Sequence, residues 1–475
     1  MNTNQKYAPG SPEECLGSVL RGHPLEKLVC FVGGCVRDRI LQATAALPDL
    51  DLVVESSGGA KALAEDLHRL RSDLFGNPHE LGVGYPIWQV AFIGEPFAGV
   101  VLQIADTQRE MFPDPLTRQR ISSFGSLAED CARRDFSVNM LYQRVCDQQI
   151  LDPSGIGLVD LKAGILRGYP GLSLDKAFSD DPLRMLRLIR FQCCFGWQIG
   201  TGVLDSVRRC AGRIQILSAE RIRDEFIKII HTGHLRRALE LFAEGEILGP
   251  LFPELTPMIG CEQDHHYHSE GDVWVHTLAV IDAAPKNLEL QLAALLHDIG
   301  KPATRSVVGD RVKFLGHEKI SVQLGQEFLT RFKFERSLVQ SVLKLVKLHL
   351  RGGDAMAWKS TKPARKLMRD VGAHLSQLLE LIHADSRASL GPDGKPRLEH
   401  LAAIEKWLQL ARLIPVAARP LLDGNTIMKA LGVGPGPVVK KAQAWLTQIE
   451  DEYADLGKVL TVEDALRELK DFQDS

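Results

Sequence analysis

The sequence predicts an α+β fold, in which a part that mixes strands with helices precedes a mainly α-helical part. Short apolar runs bounded by glycine, proline or polar residues recur up to about residue 105, and such runs are typical of strands. From Leu174 onward apolar residues recur at helical spacing, with breaks near residues 250–262 and at residues 391–396. A chain of 475 residues has room for about three domains.

Glycine and proline separate the predicted elements of the first part. Residues 112–124 contain several polar residues beside Pro113 and Pro115, so we expect a mobile loop there. The expected elements before this loop are a strand at 28–32, a helix at 35–41, a strand at 50–54, a helix at 60–70 and a hairpin with strands at 87–93 and 100–105.

The composition is that of an ordinary globular protein, with 45% hydrophobic and 25% charged residues. No apolar run approaches the roughly 18–20 residues of a membrane helix, and residues 1–10 lack the pattern of a signal peptide. We therefore expect a cytoplasmic protein with no membrane partner. The nine cysteines include no C-x-x-C pair and are expected to be reduced.

The net charge of −3 does not indicate a nucleic-acid partner, so any RNA binding must come from local basic surface. Any one basic cluster is more often a solvated helix face than a binding site. The candidate clusters are Arg118 and Arg120; Arg187 and Arg190; Arg208, Arg209 and Arg213; and Lys359, Lys362, Arg365, Lys366 and Arg369.

Two short segments suggest a site for phosphates and metal ions. Gly33 and Gly34 lie between a predicted strand and helix, where backbone N–H groups can approach a phosphate closely. Asp49 and Asp51 are two residues apart in a predicted strand, so both carboxylates face one side. Such a pair can hold two Mg²⁺ ions that activate a hydroxyl and neutralise a triphosphate. Each segment alone has an ordinary structural explanation, and their combination favours the site.

A third segment, Arg133-Arg134-Asp135 with Asn139, places a doubled arginine beside an acid. Arginine pairs suit contacts to a triphosphate or a ribose. The same pattern also fits a cluster of surface ion pairs, and the segment alone does not decide between the two.

A fourth segment could select a base. Asp181 and Arg184 are three residues apart on one helix face, and Pro182 between them suits the first turn of a helix. A carboxylate that accepts from an amino group and a guanidinium that donates to a ring nitrogen fit both cytosine and adenine. Uracil and guanine present a carbonyl in place of the amino group, which leaves polar groups unpaired. The ordinary alternative is a salt bridge between the two side chains.

These segments, in this order over about residues 31–223, resemble the class II tRNA nucleotidyltransferases, which are the bacterial CCA-adding enzymes and their relatives. Further matches are Asp152-Pro153 with Gly157, Asp160 and Leu161, and the later Glu220-Arg221. The resemblance implies that Asp49 and Asp51 are catalytic and bind Mg²⁺. It also implies nucleotide binding by Gly33, Gly34, Arg37, Arg134, Asp135, Asn139, Asp181, Arg184, Arg187 and Arg190. The family usually has Glu before the selecting aspartate, whereas this chain has Asp180.

The resemblance implies a polymerase-beta-like nucleotidyltransferase palm with a mixed sheet, followed by helical neck, body and tail regions. The implied activity is template-independent addition of C and/or A to the 3′ end of tRNA from CTP and ATP. The expected domains are an N-terminal extension (1–28), the palm (29–170), a neck and body for nucleotide selection and RNA binding (171–260), an HD phosphohydrolase-like domain (261–390) and a tail (391–475).

The helical part carries a second constellation. His297 and Asp298 adjoin at the end of a predicted apolar helix, in the sequence LHDIGK. Neutral imidazoles and carboxylates bind divalent transition metals well, and a metal-bound water is a hydrolytic nucleophile. A lone His-Asp pair indicates nothing, but here it is accompanied by an upstream histidine, a downstream aspartate and two intervening histidines: His276, Asp385, His317 and His349.

This order of residues resembles the HD phosphohydrolase superfamily, whose metal ligands follow the pattern H…HD…D. The resemblance implies a divalent transition metal at His276, His297, Asp298 and Asp385, with His317 and His349 as candidates for a second ion. Some CCA-adding enzymes carry such a domain, with phosphodiesterase and phosphatase activity on RNA ends. The preceding segment, residues 264–268 (DHHYH), is expected to be a polar loop rather than a ligand set.

Several alternatives remain open at this point. CC-only or A-only enzymes share these motifs and differ in the loop at about 107–124, and the sequence does not decide among them. A bacterial poly(A) polymerase shares the N-terminal motifs, but an HD-like domain is not expected there. A phosphohydrolase whose N-terminal unit only binds RNA would have no need of Asp49, Asp51 and Arg184. The oligomeric state is not predicted.

Overall fold

The structure, a computed structural model, describes residues 8, 10–42, 49–81, 85–113, 121–396, 398–413 and 421–473. The chain divides into two compact units, Met1–Pro253 and Glu254–Ser475. The first combines a mixed sheet with helices, and the second consists of helices with a short hairpin, which confirms the predicted α+β class. Among the described residues, no helix has both the length and the apolar character needed to cross a membrane.

The first unit contains most of the strands and the first half of the helices. Its strands are β1 (Val29–Val32), β2 (Asp49–Val54), β3 (His79–Leu81), β4 (Ile87–Ala91), β5 (Val101–Asp106), β6 (Gln108–Met111), β7 (Ile121–Phe124), β8 (Tyr142–Arg144), β9 (Ile150–Leu151), β10 (Ile165–Leu166) and β11 (Gln198–Ile199). Its helices are α1 (Pro12–Val19), α2 (Gly34–Ile40), α3 (Gly59–Leu70), α4 (Leu127–Ala132), α5 (Gly157–Ala163), α6 (Leu174–Asp180), α7 (Leu183–Phe195), α8 (Val203–Cys210), α9 (Ala219–His231), α10 (Leu235–Glu244) and α11 (Leu248–Leu251).

The second unit contains the remaining helices. They are α12 (Val273–Ala283), α13 (Leu288–Leu296), α14 (Lys301–Thr304), α15 (His317–Arg331), α16 (Arg336–Leu348), α17 (Lys362–Val371), α18 (Leu375–Ala388), α19 (Glu399–Arg412), α20 (Gly424–Leu431), α21 (Pro437–Asp455) and α22 (Val462–Gln473). Its hairpin pairs β12 (Ser306–Val308) with β13 (Arg311–Lys313).

The central sheet of the first unit has the strand order β3-β4-β5-β2-β1-β8-β9. Strand β2 pairs parallel with β5 and antiparallel with β1, so it lies inside the sheet. Along β2 the side chains alternate between exposed and buried at Asp49, Leu50, Asp51 and Leu52. This alternation follows from the two-residue period of a strand, and it places both carboxylates on one face.

The predicted hairpin is confirmed, because β4 and β5 pair antiparallel with Gln89 opposite Gln103. Strand β3 extends this hairpin, and β8 and β9 continue the sheet beyond β1. These three strands were not predicted. Each is two or three residues long, which is too short for an alternating pattern to be recognised in the sequence.

The prediction of a loop at 112–124 was partly wrong. Ile121–Phe124 forms β7, which pairs antiparallel with β6. Met111 and Ile121, which face each other across this pair, are 53% and 46% exposed. Backbone hydrogen bonds therefore hold the two strands without apolar packing at this end, so no apolar pattern marks them. Outside the described residues lie Pro115, Arg118 and Arg120.

Pro182 separates α6 from α7. A proline has no N–H to donate and excludes the helical conformation from the residue before it. Asp181 is accordingly extended, with φ −136° and ψ 93°, and α7 begins directly after the proline. Most apolar residues of α7 are buried, whereas Arg184, Arg187 and Arg190 are partly exposed at a spacing of three. This spacing places the three guanidinium groups on one face of the helix.

Charge pairing inside the protein explains two of the basic clusters. On α17, Arg365 and Arg369 both donate to Asp451 of α21, and Lys362 pairs with Glu452 at 3.0 Å. On α8, basic residues pair with nearby carboxylates, Arg208 with Asp205 and Arg209 with Asp175. These five basic residues are ion-pair partners within the fold.

We expect Asp451→Ala to destabilise the second unit by about 3 kcal/mol, because it leaves the buried Arg365 guanidinium without its main counter-ion. The Asp451 carboxylate is 4% exposed and accepts from Arg365 Nε at 2.9 Å. The matched control is Glu452→Ala, which removes an exposed ion pair and should change the free energy of unfolding by less than about 0.5 kcal/mol. Urea unfolding measures both, and equal effects would contradict the prediction.

Candidate active site and candidate metal centre

A cavity of about 450 Å³ lies in the first unit, where the β1–α2 turn, β2, α7 and α9 converge. Besides Asp51, it brings together the residues predicted for nucleotide binding: Gly33, Gly34, Arg37, Arg134, Asp135, Asn139, Asp181, Arg184, Arg187 and Arg190. Residues outside that predicted set also line it, namely Glu110, Arg133, Leu183, Phe191 and Arg221. The segments are distant in sequence, so the fold assembles this site.

The two aspartates of β2 form the acidic part of the site. Asp51 lines the cavity and Asp49 precedes it on the same face of the strand. Burial of the carboxyl group raises the pKa of Asp51, with a contribution from Asp49 and an opposing one from Arg134. Two neighbouring carboxylates gain from a cation, and oxygen ligands of this kind suit Mg²⁺. The residues present therefore fit the metal that the sequence predicts.

The glycine turn lines the same cavity as Asp51. Gly33 has φ 74° and ψ −131°, a conformation that side-chain-bearing residues rarely adopt. A Cβ atom on Gly33 would lie 3.5 Å from Nη1 of Arg134. A side chain here would therefore be strained and would occupy space beside that guanidinium, inside the cavity.

Asp130 fixes both arginines of the third segment, although it was not predicted as a site residue. Its carboxylate is fully buried, with one oxygen accepting from Arg133 and the other from Arg134 and the Tyr142 hydroxyl. Burial would raise the pKa of Asp130, but Arg134 and Arg133 lower it to about 2. The sequence signal is an acid three and four residues before the arginines in a helix, a spacing too common to be specific.

Several residues predicted to bind nucleotide hold one another in place. The Asp135 carboxylate accepts from Arg187 at 2.6 Å and from the Asn139 amide at 3.0 Å. Burial opposes ionisation of this group, but Arg187 and Asn139 lower the pKa of Asp135 to about 2. Arg37 is itself buried and donates to Asn139 Oδ1 at 2.8 Å. Asp135, Asn139 and Arg37 therefore support the cavity wall, on which Arg187 is presented.

An aromatic ring that was not predicted organises the arginines of this wall. The Phe191 ring is almost fully buried in α7. Guanidinium groups lie over it at centroid distances of 5.3 Å for Arg37, 5.3 Å for Arg187 and 4.4 Å for Arg190. Cation–π contacts of this kind hold positive charge at a fixed place. The ring therefore concentrates positive charge at one side of the cavity, where a triphosphate would be attracted.

The prediction that Asp181 and Arg184 share one helix face was wrong, because Asp181 precedes α7 in the extended conformation that Pro182 favours, while both residues line the same cavity. Asp181 accepts from Arg221 of α9, whose Nη2 lies 3.3 Å from both carboxylate oxygens. Arg184 donates to the carbonyl oxygens of Ala177, at 3.2 Å, and of Arg133. Asp181 therefore contacts Arg221, and Arg184 contacts the two backbone carbonyls. Asp180 pairs with Lys176, at 2.9 Å, on α6.

The second unit contains a buried cluster of histidines and aspartates. Asp298 lies at its centre, with Oδ2 3.1 Å from Nε2 of His297 and 3.6 Å from Nε2 of His276. Its other oxygen lies 3.1 Å from Nε2 of His317 and 3.7 Å from Nε2 of His349. The downstream aspartate completes the first group, 3.1 Å from His276 Nε2: Asp385. All the residues predicted as metal ligands in this unit therefore meet at one place.

The hydrogen bonds of the outer ring nitrogens orient the histidines. Nδ1 of His297, His317 and His349 faces the backbone carbonyls of Ala294, Phe314 and Val346 at 2.7–2.8 Å. A carbonyl only accepts, so each Nδ1 carries a proton, and a ring without a second proton turns the lone pair of Nε2 inward. Within the described part of the chain, the buried Nε2 of His297 lies 3.1 Å from Asp298 Oδ2 but makes no hydrogen bond of acceptable geometry. Inward lone pairs beside carboxylates are the donor set of a metal site.

The pKa shifts of His349, Asp298 and His276 also fit a metal site. Burial and His297 lower the pKa of His349 to about 4, which keeps its imidazole neutral. Burial would raise the pKa of Asp298, but His297 and Lys301 hold it well below its usual range. Burial would lower the pKa of His276, yet its bonds to Asp385 and Glu270 raise it to about 9. A bound cation would take the place of that proton.

The segment at 264–268, predicted to be a polar loop, forms a turn beside this centre. One of its residues, His268, shares the Glu270 carboxylate with His276, and both contacts measure 2.8 Å. Lys301 was not predicted and lies 2.6 Å from Asp298. Glu270 thus fixes the outer nitrogen of one ligand, as carboxylates do around metal-bound histidines.

Comparison with known proteins identifies the domain families along the chain. Three domain families match the chain: the poly A polymerase head domain over residues 29–167, the probable RNA and SrmB-binding site of polymerase A over residues 196–259, and the HD domain over residues 273–385. The order of these matches corresponds to a nucleotidyltransferase head, a helical RNA-binding region and an HD domain.

Curated relatives share most of the chain. The A-adding tRNA nucleotidyltransferase of Deinococcus radiodurans is 30% identical over 93% of this chain and 95% of its own length. The Multifunctional CCA protein of Nitrosomonas eutropha is 32% identical over 63% of this chain and 73% of its own. The CC-adding tRNA nucleotidyltransferase of Thermus thermophilus is 29% identical, over 72% and 76%.

Solved structures of the same fold cover nearly the whole chain. The CCA-adding enzyme of Bacillus stearothermophilus in complex with CTP gives a TM-score of 0.64 at 20% identity, covering 98% of each chain. The Thermotoga maritima CCA-adding enzyme complexed with tRNA gives 0.60 at 18%, covering 97% of this chain and 94% of its own. These matches confirm the predicted polymerase-beta-like palm with its helical remainder. The chain belongs to the bacterial family of tRNA nucleotidyltransferases that includes the CCA-adding enzymes, and it carries an HD domain.

Proposed function

We propose that the chain adds C and/or A to the 3′ end of tRNA from CTP and ATP without a nucleic-acid template, releasing pyrophosphate. The observation that carries the proposal is the single cavity shared by Asp51, the arginines of α7 and the Asp181–Arg184 pair. It combines an acidic strand, a positively charged wall and groups able to distinguish bases. A tRNA substrate and a cytoplasmic location are part of the same proposal.

In the proposed reaction, the oxygen of the tRNA 3′ hydroxyl attacks the α-phosphorus of the nucleotide, and the bond to the pyrophosphate oxygen breaks. Mg²⁺ held by Asp49 and Asp51 would lower the pKa of the hydroxyl and offset charge on the phosphates. Arg187 and Arg190 lie where their guanidinium groups can attract the triphosphate, held there by Asp135 and Glu225. Attachment to fixed carboxylates orients these cations before the substrate arrives.

Base choice is assigned to Asp181 and Arg184. The Asp181 carboxylate accepts from the amino group of cytosine or adenine, and the Arg184 guanidinium donates to the ring nitrogen beside it. Two donors of Arg184 hold backbone carbonyls, and a guanidinium has five N–H groups in all, so donors remain for a base. Uracil or guanine would leave the carboxylate facing a carbonyl. Such an unpaired polar group disfavours the wrong base strongly.

The nucleotide range tests this proposal. The protein would be incubated with Mg²⁺, a tRNA transcript that ends at its discriminator base, and each of the four nucleoside triphosphates separately. A second RNA of equal length without tRNA structure serves as the control substrate. Incorporation of C or A into the tRNA, with little U or G, supports the proposal. Long A tails on both RNAs would instead identify a poly(A) polymerase.

A second function is favoured by the cluster around Asp298. We propose that His276, His297, Asp298 and Asp385 hold a divalent transition metal and that His317 and His349 hold a second, with Asp298 shared between them. Metal ions at such a centre would supply an activated water for hydrolysis of phosphate esters. The chain's own contribution is to fix the histidine tautomers through the outer nitrogens. Phosphate esters at RNA ends are the proposed substrates.

We expect the purified protein to bind about two transition-metal ions per chain in the second unit, as in other two-metal hydrolytic sites. Asp298→Ala should lose both ions, because its two oxygens face the two groups of histidines. His349→Ala should keep about one ion, and exposed His231→Ala on α9 is the control with unchanged content. Elemental analysis measures this independently of activity. Full metal content in Asp298→Ala would contradict the assignment.

The same variants test whether the two activities are separate. Asp298→Ala should abolish metal-dependent phosphatase activity and leave nucleotide addition intact, since the cavity and the metal cluster lie in different compact units. An equal fall in both activities would show that the sites depend on each other.

We propose domain limits of 29–170 for the palm, 171–260 for the neck and body, 261–390 for the HD domain and 391–475 for the tail.

A further inference from the structure

Helix α9 contributes a charged residue to the nucleotide cavity that no part of the proposed reaction has yet used. Arg221 lines the cavity, and its Nη2 lies 3.3 Å from both oxygens of Asp181. The two side chains are 34% and 28% exposed, so the contact is only partly screened by solvent. Arg221 is thus in position to control the carboxylate to which base choice is assigned.

Asp181 lies where the local backbone gives its side chain little support. It sits between α6 and α7 in an extended conformation imposed by Pro182. Within its own segment the carboxylate contacts the Leu183 N–H at a long 3.4 Å. A carboxylate that selects a base must present one oxygen at a fixed place, because a rotated group accepts from a misplaced or incorrect base as well.

Helix α9 also holds the other end of the selecting helix. Glu225, one turn after Arg221, is 3% exposed at its side chain and pairs with Arg190 of α7. Residues four apart lie on the same helix face, so α9 turns a positive and a negative group toward α7. Glu225 pairs with Arg190 of α7, and Arg221 contacts the carboxylate of Asp181 just before α7. Two ion pairs of opposite direction therefore hold α7 against α9, and Arg221 is the one that contacts the base-selecting carboxylate.

We infer that Arg221 is a positioning residue for nucleotide selection. Its guanidinium holds the Asp181 carboxylate in the orientation that accepts from the amino group of cytosine or adenine. The inference rests on the proposed function, since it concerns the base-choice step of that reaction. The triphosphate is held by other arginines, so loss of Arg221 weakens discrimination between bases more than it weakens nucleotide binding as such.

The test compares kcat/KM for CTP and for UTP on the same tRNA transcript. Arg221→Ala should lower the CTP-to-UTP ratio about tenfold, the effect of losing one charge-assisted hydrogen bond. The ratio compares two nucleotides on one protein, so a reduced folded fraction cancels. Arg221→Lys should restore part of the ratio. Arg223→Ala is the control on the same helix, since Arg223 pairs with the adjacent Asp224, and its ratio should stay at the wild-type value.

A double-mutant cycle shows whether Arg221 acts through Asp181. In an Asp181→Asn background, Arg221→Ala should change the CTP-to-UTP ratio less than twofold, because the carboxylate it would orient is absent. A further tenfold fall in that background would overturn the inference and indicate direct contact with the nucleotide. An unchanged ratio in the single variant would also overturn it. If the wild-type protein adds neither C nor A, the proposed function itself has failed.

Discussion

Asp51→Asn is expected to reduce the rate of CTP and ATP addition about a thousandfold or more, since metal-assisted stabilisation of phosphoryl transfer contributes several kcal/mol. The substitution keeps the size of the side chain but removes the charge that Mg²⁺ requires. Asp51 and Asp49 face the same side of β2, so Asp49→Asn should have a similar effect. Single-turnover addition to a tRNA transcript is the measurement.

Two controls separate a lost metal site from a lost fold. The thermal stability of Asp51→Asn should equal or exceed that of the wild type, because the substitution removes a charge that the folded protein disfavours, chiefly through loss of hydration and additionally through Asp49. Binding of tRNA should be retained. Asp73→Asn, an exposed aspartate paired with Arg71, should keep full activity. Retained addition by Asp51→Asn would rule out its role as a metal ligand.

Arg184→Ala is expected to have the second largest effect, lowering addition of both C and A by about a hundredfold and relaxing the preference over U and G. Removal of a guanidinium takes away the donor to the ring nitrogen, and it also leaves the carbonyls of Ala177 and Arg133 without their donor. A charged hydrogen bond to a base together with positioning contributes roughly 2–3 kcal/mol. Kinetics with all four nucleotides measure both effects.

Arg184→Lys provides the sharper variant. A lysine keeps the positive charge but lacks the planar fork that donates in several directions, so it should restore nucleotide binding better than it restores base choice. Arg236→Ala, on α10 and paired with Glu240, is the control. A wild-type preference for CTP over UTP in Arg184→Ala would remove this residue from the base-choice step.

Local periodicity explains which parts of the site could be predicted. The alternation along β2 follows from the strand period, and the three-residue spacing of Arg184, Arg187 and Arg190 follows from the helical one. Both are visible in the sequence, and the structure bears out the geometry. The predicted hairpin of β4 and β5 has the same origin, with apolar runs flanking a glycine-rich turn.

Long-range contacts explain what could not be predicted. Arg221 is forty residues from Asp181, and although Glu220-Arg221 belongs to the family resemblance, no spacing in its own helix assigns it to the cavity. Asp130 is a buried acid in an ordinary helix, and only the fold shows that it holds Arg133 and Arg134. Phe191 has the pattern of a core residue, which it also is. The role of each of these residues depends on a contact with another residue that only the folded structure reveals.

The role of an element is also hard to predict from the sequence when the element is short, weakly packed or paired with a distant segment. Strand β7 lacks an apolar face, so its sequence is typical of a loop although its backbone pairs with β6. The basic run on α17 has the appearance of an RNA-binding surface, but Arg365 and Arg369 face carboxylates of α21. A run of basic residues in a sequence indicates a positively charged helix face, but the neighbouring helix determines whether that face is paired within the fold.

The most direct test uses three tRNA transcripts that end before CCA, after C and after CC, each incubated with Mg²⁺ and with CTP, ATP or both. We predict addition confined to C and A and to the missing positions, and the shortest transcript completed to CCA identifies a full CCA-adding enzyme. Completion only to CC, or addition of A only to the CC-ended transcript, identifies a specialist such as the relatives from Thermus thermophilus and Deinococcus radiodurans are named to be. No incorporation into any of the three transcripts would contradict the assignment of the cavity to nucleotidyl transfer.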